Sequence, residues 1–162
     1  MLELNRISAG YGKQTVLDGI SVDFEKGKLT SIIGVNGCGK STLLKAILGI
    51  LSLSNGEIFI DGENLLTISR NEIAKKIAYL SQGKNIPDMT VEQMVLHGRF
   101  PYLSYPRRYS SHDREVAIKA MEIVGVAEFA HKPLYSLSGG MRQNAYIAMA
   151  LAQDTDYILL DE

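Results

Sequence analysis

The chain has 162 residues, 46% hydrophobic and 22% charged, a globular composition that excludes a disordered or collagen-like chain. Seventeen Lys and Arg against eighteen Asp and Glu leave a net charge of -1, which gives no electrostatic footprint for nucleic acid. The single cysteine, Cys38, excludes an internal disulfide, and no apolar run approaches the roughly 18 residues of a membrane helix, so a soluble intracellular chain with one core is expected.

In chain order, a short strand is predicted over 3–7, then a turn through Ala9, Gly10, Tyr11 and Gly12. Alternating Val16, Ile20, Val22 and Phe24 predict a second strand over 15–24. After Gly27, residues 29–33 read as a strand running into a glycine-rich loop, and a helix over 41–51 carries Leu43, Leu44, Ile47, Leu48 and Leu51 on one face. Residues 56–61, followed by Gly62, read as a hairpin strand. Ser69 with Glu72 and Thr90 with Gln93 have the spacing of capping boxes, and a compact apolar strand, Ile77–Leu80, lies between them. The second of these helices stops near Gly98 and Pro101, and 101–112 reads as a loop. Helices over 113–124 and 139–152, the latter capped by Ser138, precede a last strand over 157–160. Strands alternating with helices predict an α/β domain with a parallel sheet, the helices after Gln82 forming an inserted layer.

Gly34-Val35-Asn36-Gly37-Cys38-Gly39-Lys40-Ser41 matches G-x-x-x-x-G-K-S/T, and Thr42 follows. Glycines let backbone N–H groups turn onto phosphate oxygens with no Cβ in the way. Lys40 supplies a compact positive charge for β- and γ-phosphates, the Ser41 hydroxyl suits Mg2+, and the helix it opens points its positive end at the anion.

Leu137-Ser138-Gly139-Gly140 is also glycine-rich and also opens a helix. Alone it reads as an N-cap, just as Asp161-Glu162 alone reads as an acidic strand end in solvent. Here the phosphate loop, the Ser-Gly-Gly turn and an apolar strand delivering two carboxylates come in order, each at an element boundary. An Asp so placed holds Mg2+, and the Glu after it can polarise an attacking water.

The combination resembles the ATP-binding-cassette (ABC) ATPases from the first residues to the last. The resemblance implies a P-loop NTPase fold: a RecA-like parallel core, an N-terminal antiparallel β subdomain and an inserted helical subdomain. The expected divisions are 1–85 for the nucleotide-binding core with the β subdomain, 86–140 for the helical part, and 141–162 for the return to the core. Gly34 through Thr42 would be the Walker A loop, Tyr11 the aromatic stacking on adenine, and Gln82 the Q-loop glutamine near the metal. Ser138, Gly139 and Gly140 would contact the γ-phosphate of an ATP held by a second ATPase subunit. Ser41, Gln82 and Asp161 would serve Mg2+, and Lys40, Gln82 and Glu162 would be catalytic. Two such subunits close over two ATP molecules with two-fold symmetry.

The stretch Gly98-Arg99-Phe100-Pro101 is similar to one in ATPases serving iron–siderophore, haem and cobalamin importers, as is Met149-Ala150-Leu151-Ala152-Gln153. That implies membrane permease partners, a place on the inner face of the cell membrane, and no nucleic acid. Arg99, Arg107 and Arg108 read either as a solvated loop face or as a surface near the permease. The alternatives are a non-transport ABC ATPase, for which no coiled-coil insertion or basic arm is seen, and a nucleotide-binding module without turnover. Met141 and Asn144 depart from the glutamine and basic residue usual in the signature. Family members also continue beyond the residue matching Glu162 through a D-loop, a core strand and a switch histidine. An incomplete core is therefore expected here, with a gap between the Walker strands, weak or no ATP binding, and little or no turnover by these residues alone.

Overall fold

The computed structural model describes residues 1–81 and 86–161. They form two compact units, Met1–Ile77 and Ala78–Glu162. The first is built on an antiparallel sheet of β1 (Leu2–Tyr11), β2 (Gln14–Phe24), β3 (Leu53–Ile60) and β4 (Glu63–Asn64), in the order β2-β1-β3-β4. The expected turn at Ala9 and Gly10 is strand instead: β1 continues until Tyr11 pairs with Gln14. Along β1, Leu4 faces Val22 while Ile7 faces Ile20, so three steps on β1 answer two on β2. This bulge, with Arg6 at φ 47, switches the inward set from Leu2 and Leu4 to Ile7 and Ala9. Without the extra residue, one half of the strand would turn its apolar side chains to water. Asp61 and Gly62, at φ 53 and 80, make the two-residue turn that sets Ile60 opposite Glu63.

Helix α1 (Lys40–Ile47) packs on β1 and β2 through buried Leu43, Leu44 and Ile47. It is shorter than the apolar pattern predicts, because the N–H groups of Ile50 and Leu51 both turn back to the Lys45 carbonyl. The strand expected over 29–33 does not form. Among the described residues this segment joins neither sheet, and Leu29 and Ile33 are 97% and 93% exposed. Apolar content alone does not make a strand; the backbone groups need a ladder partner. Helix α2 (Arg70–Lys76) closes the unit with both bonds of its capping box formed, Ser69 N–H to Glu72 at 2.7 Å and Glu72 N–H to Ser69 at 3.2 Å. Hydrogen bonds to its carboxylate from the N–H and then the hydroxyl of Ser69 hold Glu72 below the ordinary carboxyl range.

In the second unit, β5 (Ile77–Leu80) pairs with β6 (Tyr157–Leu160), and α3 (Val91–His97), α4 (Ser111–Ile123) and α5 (Gly139–Ala152) pack together. Val91, Val95, Met121, Ala145 and Ala148 are at the centre of that packing. The capping box of Thr90 and Gln93 starts α3 as expected, and a third, Ser110 with Asp113, starts α4 inside the stretch read as a loop. Each such cap stabilises its helix by about 1 kcal/mol. The small face of α5 lets the chain after α3 come very close. A Cβ on Gly98 would lie 2.2 Å from the carbonyl oxygen of Met149, so only glycine fits there.

Candidate functional site

The phosphate loop lies wholly in the first unit. Gly39 is the N-cap of α1 at φ 102, a left-handed conformation that a side chain would strain. A Cβ there would also press on Val16 and Leu17 at 3.1 and 3.2 Å. With glycine as the cap, Gly39 offers no side-chain acceptor to the N–H groups that open α1, and the first turn holds no acidic residue. Those donors and the helix dipole make an anion seat. The Lys40 ammonium folds back over the loop, donating to the carbonyl oxygens of Gly34 at 2.8 Å and Val35 at 3.0 Å. It is thereby held close to the same donors. Val35, Asn36 and Cys38 are exposed, Ser41 opens toward solvent and Thr42 is buried.

Tyr11 sits at the far end of β1, 49% exposed, its ring 5.9 Å from the Lys45 ammonium on α1. An accessible aromatic face of this kind can take a base ring without reading its identity. It belongs to the same unit as the loop.

The second unit carries the rest. Ser138 caps α5 by accepting from the Met141 N–H at 3.3 Å, and Ser138, Gly139 and Gly140 are all exposed. Nothing lies within 4 Å of where a Cβ would stand on Gly139 or Gly140, so this helix start is open to an approaching anion or partner. Met141 packs against the three-helix core, and Asn144 donates to the Val124 carbonyl at 3.0 Å. These departures from the family pattern therefore have structural work in this fold.

Asp161 follows β6. Its N–H donates to the Leu80 carbonyl at 3.0 Å, and its carboxylate accepts from the Tyr79 hydroxyl at 3.1 Å. Burial and the neighbouring Asp161 charge push the Tyr79 phenol above its ordinary range, so it stays a proton donor. Gln82 and Glu162 lie outside the described residues.

Arg99 is neither a solvated face nor a docking surface. It is 4% exposed, its Nε donates to Asp113 at 3.0 Å and its Nη1 to the Ala152 carbonyl at 3.0 Å. The guanidinium also lies 4.0 Å from the Tyr102 ring centroid, and the Tyr102 hydroxyl donates to Gln153 at 2.9 Å. Arg107 and Arg108 are exposed, as expected. Sequence reasoning missed the roles of both Arg99 and Tyr79. The Ser110–Asp113 spacing was the one available signal for the first, and nothing local pointed to the second.

A glycine-opened helix under a lysine, joined in one chain to an apolar strand that delivers a carboxylate, defines a P-loop NTPase fold. The family model for ABC transporters matches residues 17–162, and the chain belongs to that family. It is 42% identical over 162 residues to the petrobactin import ATP-binding protein FpuD of Bacillus anthracis, covering 99% of this chain and 59% of that protein. The ferric enterobactin transport ATP-binding protein FepC of Escherichia coli is 40% identical over 158 residues, covering 97% of this chain and 58% of its own length. Among solved structures, cbiO1 of Clostridium perfringens, part of the ABC transporter complex cbiONQ, superposes with a TM-score of 0.86 at 26% identity, over 99% of this chain and 64% of that one. The chain thus spans less than two thirds of the length of each of these three. Among the described residues no helix is long and apolar enough to cross a membrane.

Proposed function

We propose that this chain serves as the nucleotide-binding part of the ATP-binding subunit of an ABC importer for an iron–siderophore or related metal chelate, a subunit that binds ATP with Mg2+ and hydrolyses it. The observation that carries the reading is the Lys40 ammonium held by Gly34 and Val35 beside the uncapped start of α1. Charge, backbone donors and dipole act there on one anion, and each is strengthened by the others. Two curated relatives at 40% identity or more, named for petrobactin and ferric enterobactin, support the choice of cargo.

The residues fit the cation as well. Ser41 and Asp161 offer a hydroxyl and a carboxylate, the hard oxygen donors that Mg2+ prefers, and Gln82 adds an amide oxygen. When bound, Mg2+ neutralises charge on the β- and γ-phosphate oxygens. Lys40 binds and orients the phosphate tail, Tyr11 stacks on the base, and Glu162 orients the attacking water. Ser138, Gly139 and Gly140 face outward toward the γ-phosphate held by a second subunit, as their exposure allows. The permease partners place the subunit at the inner face of the membrane.

Two measurements test this. Titration with a fluorescent ATP analogue should show saturable binding that ADP reverses, with GTP a fair competitor because stacking does not read the base. No binding at millimolar analogue would overturn nucleotide recognition. Co-purification with permease subunits is expected from membranes of cells starved of iron, and consistent recovery with ribosomes instead would place the chain with the non-transport ABC ATPases.

Cys38 offers a direct probe of the seat. Its sulfur is exposed, 4.0 Å from the Lys40 ammonium, and would be 2.5 Å from a Cβ on Gly34. Alkylation with N-ethylmaleimide is expected to block nucleotide binding by bulk alone, and bound ATP should slow the labelling. Unchanged affinity after stoichiometric labelling would refute the steric account.

A further inference from the structure

We infer that Tyr79 is a positioning residue for the carboxylate of Asp161, fixing its orientation before a divalent cation arrives. This rests on the reading of Asp161 as a cation ligand. Two bonds from neighbouring residues of β5 converge on Asp161: the Leu80 carbonyl takes its N–H, and the Tyr79 hydroxyl donates to Oδ2 at 3.1 Å. The first fixes the backbone where the strand ends. The second acts on the side chain, holding one carboxylate oxygen toward the Tyr79 hydroxyl and so narrowing the two torsions that set its direction. Because strand neighbours face opposite ways, Leu80 is buried while Tyr79, half-buried, is on the other face beside the carboxylate.

The chemistry suits a supporting role. A carboxylate has about four lone-pair sites, so accepting from one phenol does not bar it from ligating a cation. Groups that hydrogen-bond a metal ligand set its direction and raise its effective affinity without touching the metal. A phenol does this without adding charge, where a lysine in its place would compete with the cation for the same oxygen. The separation of the pair, 82 positions, means that only the pairing of β5 with β6 brings them together.

The test uses the 162-residue chain loaded with a non-hydrolysable ATP analogue, and Mn2+ as the probe cation, its free fraction read by electron paramagnetic resonance. Tyr79→Phe keeps the ring and removes only the hydroxyl. It is expected to weaken Mn2+ retention about 10-fold, the low end of the range for losing a group that hydrogen-bonds a metal ligand. Analogue binding in EDTA and the urea unfolding midpoint should both stay at wild-type values. Asp161→Asn is the reference and should weaken Mn2+ more strongly. If Asp161→Asn weakens retention and Tyr79→Phe does not, the positioning role is wrong while the ligand assignment survives. If neither changes it, or the wild type retains no Mn2+, the assignment of Asp161 fails and the inference with it. If Tyr79→Phe lowers the unfolding midpoint or metal-free analogue binding as much as it lowers Mn2+ retention, the tyrosine is merely structural, which also overturns it.

Discussion

Replacing Arg99 by alanine is expected to destabilise the chain by about 3–5 kcal/mol, the usual consequence of leaving one partner of a buried ion pair alone. The Asp113 side chain is 9% exposed and cannot recover full hydration where Arg99 was. Two further losses add to this: the Ala152 carbonyl at the end of α5 forfeits its donor, and Tyr102 forfeits the planar group on its face. Urea unfolding checks the prediction, and a loss below about 1 kcal/mol would show the site to be wetter than its burial implies. Removing both charges, as in Arg99→Met with Asp113→Asn, should be milder than Arg99→Ala alone, because no uncompensated ion remains. The pH dependence supplies an independent sign. Burial raises the Asp113 pKa, but the hydroxyl and N–H of Ser110 and the Arg99 guanidinium outweigh it and hold it below 3.8. A depressed carboxylate contributes stability above its unfolded pKa and loses it as pH falls through its folded value. Arg99→Ala should therefore flatten the loss of stability below about pH 4.

The same cluster shows which features a linear reading can find. Three capping boxes rest on residues three apart, so Ser69 with Glu72 and Thr90 with Gln93 were legible before any coordinates. Ser110 with Asp113 has the same spacing but was masked by the prolines and tyrosines around it. The Gly-Lys-Ser loop was legible because its chemistry is confined to consecutive residues. Arg99 was not: its partners are 14 and 53 positions away, and an arginine after Gly98 looks like any surface loop. Tyr79 was hidden for the same reason, its partner lying 82 positions away at the end of the paired strand. The opposite error occurred at 29–33, where apolar composition suggested a strand that has no ladder. Local chemistry was readable; contacts made by topology were not.

Lys40→Ala is expected to weaken ATP affinity at least 100-fold while leaving the fold intact. In the free chain the ammonium bridges the Gly34 and Val35 carbonyls, a contact at the surface whose loss should move the unfolding free energy by no more than about 0.5 kcal/mol. Against a triphosphate, the same group makes charge-assisted hydrogen bonds of about 1.5–3 kcal/mol each. Two of them account for roughly 3–6 kcal/mol, and each 1.4 kcal/mol is tenfold in affinity. The contrast between stability and binding is what separates an anion seat from a glycine-rich turn that happens to hold a lysine. Comparing nucleotides sharpens it. A lysine reaching the β- and γ-phosphates should matter greatly for ATP and ADP and little for AMP, whose single phosphate remains on the backbone N–H groups of α1. Lys40→Arg should recover only part of the loss, since the planar fork cannot replace a compact point charge between two carbonyls. Equal weakening for AMP and ATP would place the lysine at the α-phosphate or in the loop's own shape, and unchanged ATP affinity would remove the basis for reading the loop as a nucleotide site.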